Sequence, residues 1–310
     1  MKLVFLGTPA FAVPSLECLL EAGHQVQAVY TQPDRPSGRG QTLTASPVKR
    51  CAAARGLPVR QPERIRRPEI VEELRALAPE AMVVVGYGQI IPQAIIDIPP
   101  LGIVNVHASL LPKYRGAAPV QWAIACGETV TGVTTMRIDA GLDTGDILLA
   151  RETPIGPEET AVELAERLAR LGADLLVETL AGLRDGTVRP RKQDNAQASH
   201  APLLRKEDGL IDWNLTARQI FNRVRGFQPW PGAFTNFRGS RLRLWRCRVA
   251  ETEARGAPGS LAASGRRLFA ACGENTCLEL LEVQVEGGKR MSAEAFLNGC
   301  HLSENERCSG

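Results

Sequence analysis

The 310-residue sequence predicts an α/β protein, with a Rossmann-like, doubly wound parallel sheet followed by a small antiparallel barrel or sandwich. Three observations carry this. Short apolar runs alternate with helix-period segments through the first half. The run Ala81–Val85 is continuously apolar, as in a strand buried on both faces of a parallel sheet. Beyond residue 208, short β-type runs recur between turn residues.

The elements follow in order. Leu3–Leu6 reads as the first strand, and a helix with Leu16, Leu19 and Leu20 on one face stops at Gly23. Val26–Tyr30 is the second strand. Pro68–Ala78 has Ile70, Leu74 and Leu77 at helical spacing, with Pro68 suited to a first turn. After Ala81–Val85 come Ile103–His107, Pro119–Cys126 and Val133–Ile138 as strand, helix and strand. Glu158–Leu183 is a long helix with Leu164, Leu168, Leu171 and Leu175 along one side. The polar, aperiodic stretch that follows is read as a linker over 190–208, between a first domain at 1–189 and a second domain at 209–310. Strands are expected at Phe234–Phe237, Leu242–Val249, Gly259–Ala262, Leu268–Ala271 and Leu278–Val285, with the last dozen residues frayed.

Composition excludes several classes. No window approaches the roughly 18 apolar residues of a membrane span. The opening apolar run is shorter than the roughly 7–15 residues of a secretory core. The eight cysteines are scattered without a CxxC pair, so the expectation is reduced thiols in a cytoplasmic protein, with no metal site and no membrane partner. The first strand ends at Gly7-Thr8-Pro9 with one glycine of the GxGxxG fingerprint, which removes the main support for a nicotinamide or flavin role.

Chemistry-bearing residues gather in two places. The strand Ile103–His107 puts Asn105 and His107 on one face, roughly 6–7 Å apart along the chain. These are either a reaction centre or two satisfied polar groups at a strand end. The loop "DAGLDTGDI" at 139–147 offers Asp139, Asp143 and Asp146; such residues are ordinary in turns. Both stretches are expected at carboxyl ends of strands, where open α/β sheets bind ligands, so they are expected to converge. Asn, His and Asp without a Ser or Cys nucleophile suit transfer with no covalent enzyme intermediate. The Asp takes a proton and orients the imidazole, while Asn and His donate to a developing oxyanion.

The ordered run Asn105-x-His107-x-Ser109-Leu110-Leu111-Pro112, then Tyr114-Arg115-Gly116-Ala117-Ala118-Pro119, then Asp139-x-Gly141-x-Asp143-x-Gly145, closely resembles the 10-formyltetrahydrofolate-dependent formyltransferases. The resemblance covers about residues 1–298 and implies a formyltransferase fold whose second domain is an OB-like barrel. It implies Asn105, His107 and Asp143 as the catalytic set. It also places Ser109, Leu110, Leu111 and Pro112 against the folate, with Gly86, Tyr87, Gln89 and Ile90 in the stretch lining the pterin pocket.

The loop "TQPDRPSGRGQTLTASPVK" at 31–49 and the segment "FQPWPGAF" at 227–234 are similar to the tRNA-acting members of that family. The resemblance then implies transfer of the formyl group from 10-formyltetrahydrofolate to the α-amino group of methionine on initiator tRNA. Arg35 and Arg39 of the loop become acceptor-reading candidates. From Trp213 to Ala250 there are eight arginines and no Asp or Glu, interleaved with aromatics, which suits a basic face tracking a phosphate backbone. Arg223, Arg241 and Arg243 are the candidates there. Strict alternation puts Arg241 and Arg243 on one face and Arg246 and Arg248 on the other, unless a bulge intervenes. The protein is taken as a monomer. Alternatives are a related transferase acting on an amino sugar nucleotide or on glycinamide ribonucleotide, and a noncatalytic RNA-binding protein.

Overall fold

A computed structural model describes residues 1–37, 42–254, 256–303 and 306–309. The chain divides into two compact units: residues 1–116, 130–154 and 165–201 form the first, and 117–129, 155–164 and 202–310 the second.

In the first unit the chain runs β1 (Lys2–Gly7), α1 (Val13–Glu21), β2 (Gln25–Tyr30), β3 (Arg35–Ser37), β4 (Thr42–Thr44), α2 (Pro47–Ala54), β5 (Val59–Arg60), α3 (Pro68–Leu77), β6 (Ala81–Val85), α4 (Gln93–Ile96) and β7 (Ile103–His107). After α5 (Pro119–Ala125), grouped with the second unit, come β8 (Val130–Arg137), β9 (Ile147–Pro154) and most of α6 (Ala161–Asp185). The seven-stranded sheet has the order β5-β2-β1-β6-β7-β8-β9. Its central strands β6 and β7 are buried at every position, because helices cover both faces of a parallel sheet. The close approach of α6 needs Gly172, where a Cβ would sit 2.7 Å from Cγ1 of Val106 on β7.

The parallel run ends at β7. Strand β8 lies antiparallel to β7, and β9 antiparallel to β8. This corrects the expectation of a parallel strand at Val133–Ile138. The sequence contains a second β run, Ile147–Pro154, just beyond the Gly- and Asp-rich loop, and two such runs around a loop make a hairpin. Side chains of β9 alternate between half-buried and exposed beyond Leu148, as befits a strand at the sheet edge.

The second unit adds α7 (Ala217–Gly226), β10 (Ala233–Phe237), β11 (Ser240–Ala250), β12 (Leu261–Ser264), β13 (Arg267–Ala271), β14 (Cys277–Val285), β15 (Met291–Ser292) and α8 (Ala293–Gly299). Its antiparallel sheet runs β10-β11-β14-β13-β12, with β15 on β14, around a core that includes Trp213, Phe221, Leu244, Leu268 and Phe296. Helix α7 starts in a capping box: Thr216 accepts from the amide of Gln219, whose side chain accepts in return from the Thr216 amide. Helix α5 packs on α7, with Trp122 edge-on to Phe227 at 5.4 Å between ring centroids.

Residues 307–309, expected to fray, are ordered by pairing. Ser309 pairs with Asn236, Arg307 bridges to Ser260, and Cys308 is buried between them. A buried thiol flanked by two backbone bridges pins the segment, which polarity along the sequence does not reveal.

Candidate active site

The site is built at the upper end of β7. Asn105 and His107 are both buried, facing the same way from β7, beside Met136 and Thr134 of β8. The chain then bends through Ser109–Pro112. Thr134 fixes that bend: its hydroxyl donates to the carbonyl of Ser109 at 2.7 Å and accepts the amide of Leu111 at 3.1 Å. The Ser109 hydroxyl donates to the carbonyl of Lys113 at 2.6 Å.

Residues 114–116 run beside residues 199–201. The amide of Tyr114 donates to the Ser199 hydroxyl at 2.9 Å, the amide of Arg115 to the Ser199 carbonyl at 2.8 Å, and the amide of Ala201 to the Arg115 carbonyl at 2.7 Å. This pairing aims two backbone groups at the site. The carbonyl of Tyr114 lies 2.9 Å from Nε2 of His107, and the amide of Gly116 donates to Oδ2 of Asp143 at 2.8 Å. A carbonyl only accepts, so Nε2 carries the hydrogen and Nδ1 is the ring nitrogen facing Asp143, 3.7 Å from Oδ2. Oδ1 of Asp143 and the carboxamide of Asn105 make no hydrogen bond among the described residues, and both remain available to a substrate.

Asp143 reaches His107 by an unexpected route. With β8 reversed, loop 138–146 leaves the sheet beside the start of β7, Arg137 opposing Val104. Convergence therefore does not come from two carboxyl ends lying side by side; the loop folds back. Asp139 shapes it, accepting the Gly141 amide at 3.0 Å and the Thr144 hydroxyl at 2.8 Å. Asp143 itself adopts a left-handed backbone, φ 53°.

The stretch expected to line the pterin pocket follows β6. Gly86 has φ 57°, and a Cβ there would approach Pro9 to 2.9 Å. The Tyr87 ring lies in the core with Tyr30, and burial pushes its phenol well above the ordinary range; its carbonyl accepts from Thr8 at 3.0 Å and from Gln32 at 3.1 Å. Gln89 is spent on backbone, accepting from the Ile65 amide at 2.7 Å and donating to the Pro62 carbonyl at 3.2 Å. Ile90 is 88% exposed, which leaves an apolar side chain free to cover a ligand. Leu111 is buried, and Leu110 and Pro112 are partly buried.

Arg39 lies outside the described residues. Arg35 opens β3, is exposed, and reaches the Gln32 carboxamide at 3.4 Å. The base of that β-ladder is anchored by Asp34, which pairs with Lys49 at 2.6 Å and accepts from Gln61 at 2.8 Å; these contacts hold its carboxyl below the ordinary range.

On β11 a bulge does intervene. Register shifts on either side of Arg246 bring Arg243 opposite Gln284, Arg246 opposite Glu282 and Arg248 opposite Glu279, while Leu242, Leu244 and Cys247 point into the core. All four arginines thus share the outer face. That face is less basic than the strand alone suggests, because β14 brings acids across. Arg248 and Arg267 both pair with Glu279, at 2.6 and 2.7 Å, Arg246 with Glu282 at 3.3 Å, and Arg238 with Glu306 at 2.7 Å. Arg241 stacks over Phe234 and Arg243 over Trp245, the latter also donating to the Pro229 carbonyl at 2.6 Å. Arg223 lies over Phe227. No guanidinium of Arg223, Arg241 or Arg243 is paired with a carboxylate in the hydrogen bonds and ion pairs of the described residues; the Arg241 backbone amide donates to Glu286 at 3.4 Å.

Sequence reasoning missed Thr134, Gln193 and Ser199, which hold the loops from strand and linker positions that carry no local motif.

Residues 1–180 match the Formyl transferase family model, and residues 203–301 match the model for the Formyl transferase C-terminal domain. The methionyl-tRNA formyltransferase of Solibacter usitatus is 65% identical over 99% of this chain and 98% of that protein. That of Acidobacterium capsulatum is 58% identical over 99% of each. Among solved structures, an N-formyltransferase from Helicobacter canadensis, in complex with folinic acid and dTDP-3-aminofucose, matches with a TM-score of 0.67 at 19% identity, over 90% of this chain and 98% of that one. Both halves of the sequence, and relatives of nearly the same length, thus lead to one assignment: the chain belongs to the formyl transferase family.

Proposed function

We propose that this protein transfers the formyl group of 10-formyltetrahydrofolate to the α-amino group of methionine on initiator tRNA. The acceptor is supported by full-length relatives that carry the name methionyl-tRNA formyltransferase. Two solved structures whose titles name an amino sugar nucleotide or a glycinamide ribonucleotide transformylase are 19% and 20% identical to this chain and speak for the fold alone.

The observation that carries the chemistry is the division of hydrogen bonds around Asp143. Oδ2 is held by the Gly116 amide and faces Nδ1 of His107, leaving Oδ1 to receive a proton. An α-amino group with a pKa of about 7.7–8 must lose its proton to attack, and a positioned base typically contributes about 10²–10⁴ in rate. As the amine attacks the formyl carbon, the carbonyl electrons move onto oxygen. Asn105 donates to that oxyanion, and so does His107 from Nδ1 in its imidazolium form, since Nε2–H is held by the Tyr114 carbonyl; each such donor is worth about 3–4 kcal/mol. Collapse breaks the bond to the folate nitrogen, which leaves with the proton that Asp143 took from the amine. None of these steps calls for a metal ion.

In this reading the backbone of Ser109–Pro112 and of Gly86–Ile90, with the exposed Ile90 side chain, faces the folate, and the Tyr87 and Gln89 side chains hold that wall from behind. Arg35 and Arg39 read the acceptor end, and Arg223, Arg241 and Arg243 meet the tRNA backbone. The catalytic domain is assigned to 1–189, the linker to 190–208 and the tRNA-binding domain to 209–310, in a cytoplasmic setting. The test is transfer of radiolabelled formyl to charged initiator tRNA, with amino sugar nucleotide and glycinamide ribonucleotide as competing acceptors. Labelling of the tRNA supports the reading; labelling of another acceptor alone contradicts it.

A further inference from the structure

One side chain outside the catalytic set ties together the two loops that aim it. Gln193 follows a backbone bridge between Arg191 and Ile147. Its Nε2 donates to the carbonyl of Asp143 at 2.9 Å and to that of Gly145 at 2.7 Å. Its Oε1 accepts from Arg115, at 3.1 Å from Nε and 2.7 Å from an Nη. The amide orientation is unique: reversed, it would set donors against a guanidinium and an acceptor against two carbonyls. Arg115 is buried and also donates to Asn195 at 2.8 Å. Its chain neighbours are Tyr114, whose carbonyl holds His107, and Gly116, whose amide holds Asp143.

The tether on the Asp143 carbonyl acts where the backbone is strained. A non-glycine residue in the left-handed region costs about 1–2 kcal/mol and persists only when its surroundings hold it. The Gln193 amide fixes the peptide that follows Asp143. Without it, residue 143 is free to relax to negative φ, which swings the carboxylate off the Gly116 amide and away from His107.

We infer that Gln193 is a positioning residue for formyl transfer, acting through the peptide of Asp143 and the guanidinium of Arg115. The inference rests on the proposed role of Asp143 as proton acceptor. Gln193 touches neither catalytic side chain, so it sets their geometry and leaves substrate affinity alone.

The experiment is a double-mutant cycle in kcat and KM, with 10-formyltetrahydrofolate and charged initiator tRNA, for wild type, Gln193→Met, Asp143→Asn and the double variant. Misplacement of a reacting group by about 1 Å costs about 10²-fold, so Gln193→Met is expected to lower kcat about 30- to 100-fold, with both KM values within about twofold. In the Asp143→Asn background the same change is expected to cost at least about fivefold less than in the wild type, because only the His107 side, reached through Arg115 and Tyr114, is left to position. An equal loss in both backgrounds, a change in KM alone, or an unaltered kcat overturns the inference. Gln193→Glu keeps the size and the Arg115 contact but removes both donors; it is judged by the same criteria should Gln193→Met not fold. Wild-type turnover in Asp143→Asn is a separate result that strikes the underlying role of Asp143 itself, and the inference with it.

Discussion

His107 Nε2 and the carbonyl of Tyr114 are 2.9 Å apart, and this one contact decides which ring nitrogen works. With Nε2 occupied, only Nδ1 is turned toward Asp143 and the space beyond it. The contact depends on Tyr114 holding φ 60° and on the neighbouring strand-like pairing with Ser199 and Ala201. The geometry of the proposed catalytic set is held by backbone that carries no titratable group.

Gly116→Ala tests that backbone. At φ 123° a Cβ would lie 2.6 Å from the Ala201 carbonyl oxygen, so the pairing of 115 with 201 has to open. The expected result is a loss of about 1–3 kcal/mol in stability, together with at least about a tenfold fall in kcat. Thermal melting and single-turnover transfer measure the two effects.

Salt dependence separates the arginines of the second unit. Each phosphate contact contributes about 0.7–0.9 to the slope of log K against log salt concentration. Arg241→Ala and Arg223→Ala are expected to reduce the slope by about one contact each. Arg248→Ala is expected to leave it unchanged, because that guanidinium is held in an ion pair with Glu279. Filter binding of initiator tRNA across a salt series reads all three.

Glu279 makes stability in the second unit depend on acid. Hydrogen bonds from Arg267, then from Arg248, together with their charges, outweigh burial and hold the carboxyl down at about 2. A depressed folded pKa gives stability that is complete above the ordinary value of 4.5 and disappears as pH falls from there toward 2. The guanidinium groups are more than half exposed, so the contribution near neutral pH is on the order of 2 kcal/mol after solvent screening. Glu279→Gln is expected to lose that amount at pH 7 and to flatten the stability profile between pH 4.5 and 2, followed by denaturant melts.

The loop containing Arg35 and Arg39 is expected to serve the acceptor alone. Arg39→Ala should raise KM for charged initiator tRNA at least about tenfold, the equivalent of about 1.4 kcal/mol, with KM for the folate unchanged. Equal weakening of both would show a folding defect.

Much of this was legible in the sequence, for identifiable reasons. Ala81–Val85 and Ile103–His107 have the observed bounds, because continuous apolar runs of strand length leave few alternatives. Asn105-x-His107 was readable by parity alone. Direction was not: nothing local in Val130–Arg137 says that it runs against β7, so the route of Asp143 was missed. Charge counting along β11 failed likewise, since the neutralising Glu279 and Glu282 lie about 30–40 residues away and arrive by strand pairing. Gln193 and Ser199 sit in a polar stretch whose work is done entirely by tertiary hydrogen bonds.

The central claim is that Asn105, His107 and Asp143 surround one carbonyl carbon. It is tested most directly by single-turnover formyl transfer in Asn105→Ala and Asp143→Asn, alongside their affinity for charged initiator tRNA. The account predicts a loss of about 10²-fold or more in the transfer rate of each, with tRNA affinity unchanged. A near-wild-type rate in either variant would contradict it.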